Sequence, residues 1–451
     1  MHLFALPGNA KFSNKYMILF ILPVIFENLM LGLLGVVDTF MVSSLGEVAV
    51  AGVGLVNRID NFAKQFFIAL GMGGSIVLAQ YIGAKNKENA RRSLENNIII
   101  VTLIGIFVML VMMIFKSQIL RLLYGNAQKD VLEKSFGYFS VTALSYPFTA
   151  LYYACNAQFR VMGRNKIPFV GSACMMAINL VLKYIFIYVL KMDVEGAALS
   201  TLIAMAIVGF VLLFNLKSKK NMIHIPALHS VKFSPKMSWK IMRISVPNGI
   251  EQGMFQLGAL LIAGLVSGLG TSAIAADQIA RNISVFVHCA GSGFAALIMT
   301  VVGQCMGARD IDGAKFYTKH ILKLDFAFTS CAVIVFLILL KPLVSIFNVS
   351  ADAKAQAISI MILYSTASAI LYPLSFAVPS ALRGAGDTRF VMVVASLSMF
   401  LFRIGAAYIF VHTFKLGVMG TWVAMVSDWV VRTVIFAVRF KNEKWTHNKV
   451  I

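Results

Sequence analysis

Apolar runs long enough to cross a bilayer recur along the whole chain, and that recurrence sets the solvent in which it must fold. Residues 98–115 hold no charged side chain, and about 20 apolar residues make a helix of roughly 30 Å, the thickness of the hydrocarbon core. Spans are read at 16–42, 49–81, 97–115, 136–157, 167–190 and 197–216, and again at 239–266, 273–305, 321–340, 357–381, 390–414 and 417–440. They lack the strict alternation of an outer-membrane strand, and a helix satisfies its backbone polar groups within the segment. The expected fold is an all-α integral membrane protein with twelve transmembrane helices. With 59% hydrophobic and 13% charged residues in 451, a soluble domain does not compete.

Sliding the sequence by 224 residues lays LPVIFENLMLGLLGVVDTFMVSSLGEVAVAG over VPNGIEQGMFQLGALLIAGLVSGLGTSAIAA. Pro23/Pro247, Glu27/Glu251, Ser43/Ser267, Gly46/Gly270, Gln80/Gln304 and Gly83/Gly307 coincide, and shared greasiness does not explain paired Pro, Glu, Gln and Gly. Later, FRVMGRNK (159–166) echoes LRGAGDTR (382–389). Six spans per half is an even number, so both halves have one orientation. Two six-helix lobes related by a pseudo-twofold axis along the membrane normal are expected, the layout of an alternating-access transporter. The lobes are read at 1–216 and 241–440, joined by a basic loop at 217–240 and followed by a tail at 441–451.

The net charge of +21 does not call for a nucleic-acid partner. Basic residues concentrate in the N-terminus, in the loops after the even-numbered spans and in the tail, which is the positive-inside pattern and places both termini in the cytoplasm. Cys155, Cys174, Cys289, Cys305 and Cys331 all fall within spans, leaving neither a disulfide framework nor a CxxC metal spacing. The N-terminus has no cleavable signal pattern, because its first apolar stretch continues into a full-length span.

The runs VDTFMVSSLGEVAVAGVGL and LVSGLGTSAIAADQIARNI and the LRGAGDTR turn resemble the multidrug and toxic compound extrusion (MATE) family, of the bacterial NorM-like and DinF-like kind. The resemblance covers nearly the whole chain. It implies a two-lobe antiporter in the bacterial cytoplasmic membrane that exports organic, often cationic, amphipathic compounds in exchange for H+ or Na+. It implies no cofactor, and a monomer is expected.

Charges inside spans carry the mechanism, since ionisable groups are costly there. Asp38 sits in mid-span and matches the first-helix aspartate that is a cation site in NorM-like and DinF-like members; Glu251 resembles the seventh-helix glutamate of NorM-like and eukaryotic members. These two are the leading coupling candidates, with Na+ possible at either. Glu27, the repeat partner of Glu251, lies nearer a helix end, where a snorkelling or capping role competes. Asn179 and Lys183 in INLVLKYIFIY stand where DinF-like members carry Asn and Asp. A lysine does not ligate sodium, so Lys183 is expected to face Asp38 and favour proton coupling; snorkelling out of the cleft is the alternative. No acid stands in 357–381, where NorM-like members carry one, which weakens transfer of their second-lobe sodium site.

In the second half, Asp277 and Arg281, and likewise Asp428 and Arg432, are spaced i, i+4 and share a helix face. Arg403 repeats the position of Asn179, and Asn156 joins these as a candidate cleft residue. Internal ion pairing is a reading equal to a functional one. Arg58, Asp60, Lys64, Lys323 and Asp325 are assigned to exposed helix ends or the cleft rim, and Pro147, Pro373 and Pro379 to possible bends in helices four and ten.

Desolvation raises the pKa of a cleft carboxylate, so it can take a proton from the acidic side and, on losing it, attract a cation. Mutual weakening of two ligands on one equilibrium is antiport. A flippase for a lipid-linked saccharide or lipid is the alternative, kept open by Lys183, Arg281, Arg403 and Arg432. An enzyme is not expected, because seven scattered histidines show no HExxH and the chain no GxSxG. No filter motif suggests a channel.

Overall fold

The computed structural model describes residues 11–125, 128–225, 233–347 and 349–451, with the side chains of Val36 and Ala290 left aside. Among the described residues there are helices and no strands. In order they are α1 (Asn14–Ser43), α2 (Glu47–Gly83), α3 (Lys87–Ile114), α4 (Lys116–Tyr124), α5 (Lys129–Leu144), α6 (Tyr146–Val161), α7 (Lys166–Tyr184) and α8 (Val194–Asn215). There follow α9 (Pro235–Ser267), α10 (Thr271–Gly307), α11 (Ile311–Ser345), α12 (Ala351–Tyr372), α13 (Val378–Gly384), α14 (Thr388–Ser398), α15 (Ala406–Tyr408) and α16 (Gly417–Lys441).

Ten of these helical stretches are long and apolar enough to span a membrane, and α10, bent by 42° between Thr271–Cys289 and Gly291–Gly307, makes up to eleven. The fourth expected span is built from two helices instead of one: α5 ends at Leu144 and α6 starts at Tyr146, with Pro147 in its first turn. Proline lacks the amide that a continuous helix would use there. In the tenth span Pro373 opens a π turn, Pro373–Ala377, between α12 and α13.

The 224-residue repeat is written into the backbone. Left-handed residues recur in pairs at Gly46 (φ 97°) and Gly270 (94°), Lys85 (55°) and Arg309 (58°), and Lys191 (51°) and Lys415 (53°). Gly46 and Gly270 end the turns after α1 and α9, a conformation in which a Cβ is strained. Asn86 caps α3 by accepting from the Asn89 amide, and Asp310 caps α11 by accepting from the Gly313 amide. The π turns Ile185–Val189 and Ile409–Thr413 also occupy equivalent places.

Two compact units divide the contacts: one holds the residues up to Ile25, Gly83–Lys85 and Ile250–Ile451, the other Phe26–Ile82 and Asn86–Gly249. The division crosses α1 at 25/26 and α9 at 249/250, again related by the repeat. The first unit is centred on Ile283, Val287, Met361, Tyr364, Trp422 and Trp429; the second on clusters around Val56, Phe139 and Ala198 and around Phe67, Tyr146 and Ala150. Rows such as Phe107, Leu110 and Ile114, or Val430, Val434 and Val438, are exposed. In water such stripes would be a large apolar liability, whereas in a bilayer they face lipid.

Candidate functional site

In the unit of Phe26–Ile82 and Asn86–Gly249, Asp38 of α1 meets Lys183 of α7, whose Nζ donates to Oδ1. The lysine is the buried member at 2% exposure, and the aspartate keeps 29%. Lys183 lies in the last turn of α7, just before the π turn at Ile185–Val189, a local widening of the helix that is common where a side chain must be aimed. The contact expected of these two residues is present, and the snorkelling alternative is not what the structure holds. Asn179, one turn earlier, is buried but turned to α8, where its Nδ2 donates to Thr201 Oγ1 at 2.9 Å. Its Oδ1 is buried with no hydrogen-bond partner.

Glu27 neither snorkels nor caps. It is buried, with Arg160 Nη2 at 2.9 Å from Oε2 and Asn156 Nδ2 donating to Oε1 at 3.1 Å, both from α6. In the other unit Glu251, also buried, accepts from Arg383 Nη2 at 2.6 Å. Arg160 and Arg383 are the first arginines of FRVMGRNK and LRGAGDTR, so one Glu–Arg pair is built in both repeats. Neither arginine is singled out by reading the spans, because each ends its helix far along the chain from its glutamate. The echo between the two turns was the available signal.

Within the unit of Ile250–Ile451, Asp277 accepts from Arg281 Nε at 2.6 Å and from Trp422 Nε1 at 2.9 Å. The Arg281 guanidinium lies 5.9 Å from the Trp422 ring. Asp428 accepts from Ser398 Oγ and has Arg432 Nη1 at 3.8 Å. The Arg432 guanidinium is buried among the rings of Phe255, Phe376 and Phe436 at 5.3, 5.1 and 5.8 Å. Such faces hold a dehydrated cation by their quadrupoles. Both i, i+4 pairs are therefore formed. Arg403 stands in the π turn Met399–Gly405 within electrostatic reach of Asp428, Arg281 and Arg432.

Two sequence assignments are corrected. Asp60 is buried and bonded to Lys64 at 2.6 Å, and Asp325 is completely buried within α11; neither is a rim residue. An i, i+4 base neutralises the first, and the second lies on the face of α11 that carries its buried residues. For metal binding, no group of three His, Cys, Asp or Glu side chains gathers among the described residues. Both carboxylates proposed for sodium, Asp38 and Glu251, already hold a basic partner, so a metal ion would have to displace an ammonium or guanidinium.

A model of the MatE family matches residues 23–185 and 247–409, two stretches displaced by the same 224 residues as the internal repeat. Among curated relatives, "Probable multidrug resistance protein NorM" of Thermotoga maritima is 24% identical over 446 residues, 97% of this chain and 94% of that protein. "Multidrug resistance protein MdtK" of Edwardsiella ictaluri is 24% identical over 441 residues, 93% of each. Among solved structures, a MATE protein in complex with MaL6 superposes with a TM-score of 0.89 at 22% identity, over 96% of this chain and 97% of that one. An outward-facing multidrug resistance MATE family transporter of the MOP superfamily superposes at 0.88 and 21%, over the same shares. These likenesses establish the helical fold.

Proposed function

From the premise that the chain belongs to the MatE family, matched over both of its halves, we propose that it is a secondary antiporter exporting organic, often cationic, compounds in exchange for protons. Its setting is the bacterial cytoplasmic membrane, with both termini cytoplasmic, and it acts as a monomer without a cofactor. The halves 1–216 and 241–440 serve as the two lobes of an alternating-access cycle and 217–240 as their connector. It is a transporter and no enzyme.

The observation that carries this reading is the Asp38–Lys183 pair. The two charges cancel, so the site is neutral while Asp38 is ionised. Protonating Asp38 breaks the pair and leaves Lys183 as a net positive charge. An organic cation then meets repulsion that the neutral pair does not offer. At an effective dielectric of 20, unit charges about 8 Å apart repel by about 2 kcal/mol, enough for a thirtyfold mutual exclusion. Reciprocity makes the same factor weaken proton binding when the cation is bound. A fixed ammonium takes the place that a metal ion would hold, which favours H+ over Na+.

The test is uptake of a cationic dye into inside-out vesicles under a proton gradient without sodium, then a sodium gradient alone. Proton-driven uptake lost in Asp38→Asn is the expected result. Sodium-driven uptake that survives Asp38→Asn and dies in Glu251→Gln would reject it. So would a Lys183→Met variant with unchanged transport and ion selectivity. One observation favours a second reading, an anionic or lipid-linked substrate: Arg281, Arg403 and Arg432 outnumber Asp277 and Asp428 within one unit. Export of an anionic dye, with none of the cationic one, would favour it.

A further inference from the structure

Among the described residues eight carboxylates are buried, and seven of them have a lysine or arginine in ion-pair contact. The eighth is Asp325 of α11, at 0% exposure. Its Oδ1 accepts from Thr329 Oγ1 of its own helix at 2.9 Å, and its Oδ2 is buried with no hydrogen-bond partner. An ionised carboxylate needs several donors or a counter-charge once water is gone. Here it has one hydroxyl.

The groups around it supply no missing charge. Tyr372 of α12 lies within electrostatic reach, and its ring meets His288 of α10 edge-on at 5.2 Å. The α10 residues Asp277 and Arg281 bond to each other, and Asp277 also accepts from Trp422. The π turn Pro373–Ala377 brings no titratable side chain. On α11 itself Lys323 points to the exposed side, and His320 is bonded to Asn14 at 2.9 Å. A neutral acid fits this place, and an anion does not.

We propose that Asp325 is a second proton-binding site of the transporter: it holds a proton on Oδ2 when buried as here and exchanges it with water in another conformation of the cycle. On release the Oδ2–H bond breaks, the proton passes to water, and the carboxylate left behind is hydrated; rebinding reverses each step. The proposal rests on the proton-coupled reading above and extends it to residues outside the Asp38–Lys183 site. It also accounts for an acid kept where a pure scaffold would place Leu or Asn.

The experiment uses the full chain in lipid vesicles, as wild type and Asp325→Asn, the latter matching the protonated acid in size and neutrality. Infrared spectra are recorded in H2O and D2O across pH, together with proton release on adding the cationic dye ethidium. Wild type is expected to show a protonated-carboxyl stretch that shifts in D2O and fades as pH rises. Asp325→Asn is expected to lack that band and to release fewer protons per dye bound. Identical spectra in the two proteins would overturn the proposal. A band unmoved by D2O and pH, with unchanged proton release, would overturn it as well and leave a permanently neutral structural acid. Wild-type vesicles driven by sodium alone would instead defeat the proton-coupled reading, and the band's response to D2O and pH would still decide whether Asp325 binds an exchangeable proton.

Discussion

The unequal burial of Asp38 and Lys183 makes a prediction about which half of the pair is more harmful to lose. Removing one partner of a buried ion pair costs about 3–5 kcal/mol, because the other charge is stranded. Asp38→Asn strands an ammonium that is 2% exposed, so the upper part of that range applies. Lys183→Met strands a carboxylate that keeps 29% exposure, while methionine preserves the aliphatic volume; about 1–2 kcal/mol is expected. The double variant removes both charges and should recover most of the loss, giving a coupling energy of about 4–5 kcal/mol. Thermal unfolding of the four proteins in one lipid system measures this cycle. Asp38→Asn should melt lowest, Lys183→Met in between, and the double variant near or above Lys183→Met. The reasoning fails if Lys183→Met is the more damaging single change, or if the two effects add within about 0.5 kcal/mol.

Arg432→Lys keeps the charge beside Asp428 but loses the planar group that lies against Phe255, Phe376 and Phe436, and should cost about 1–2 kcal/mol in the same melt. Lys134 and Asp193 form a pair outside the spans in which both side chains are more than a third exposed, so Lys134→Met should cost under about 1 kcal/mol even at low salt. The hydrogen bond from Lys134 to Asp193 raises the lysine above its ordinary range. That contribution is fully present below the lysine's unfolded value and is lost only as pH rises through its higher folded one. The small cost of Lys134→Met should therefore be the same at every pH in a series of melts from pH 6 to 9.

The fold was legible because its period is coarse and its punctuation repeats. Span-length apolar runs survive any uncertainty of a few residues at their ends, and the 224-residue offset falls on the same turns in both halves, down to the left-handed Gly46 and Gly270. The i, i+4 pairs Asp277–Arg281 and Asp428–Arg432 were readable for the same reason, since helix geometry alone places them. What the pattern did not reveal were contacts set by packing between distant segments. Arg160 looks like a positive-inside residue until α6 is seen to carry it onto Glu27. Asp325, near the start of its apolar run, looks like a rim residue until its neighbours close over it. The break at Ser145 and the π turns follow from local backbone choices that hydropathy does not register.

The repeat also separates scaffold from mechanism. The Glu–Arg pair occurs in both units, as Glu27–Arg160 and Glu251–Arg383, at positions fixed by the same fold. Asp38 and Lys183 have no such counterparts, since the equivalent positions are Ile262 and Ala407. Symmetric ligation serves symmetric architecture, whereas a charge placed once serves a task done once. Glu251→Gln should therefore resemble Glu27→Gln: each loosens the join between a long helix and an arginine-bearing turn, at about 3–5 kcal/mol. Both should lower the melting point and the amount of folded transporter without changing protons exchanged per dye moved. Asp38→Asn should also lower the melting point but, unlike these two, should abolish the exchange in molecules that remain folded. Normalising uptake to folded protein separates the two outcomes. A folded Glu251→Gln transporter that moves dye without moving protons would place coupling on the repeated glutamate and defeat the argument from asymmetry.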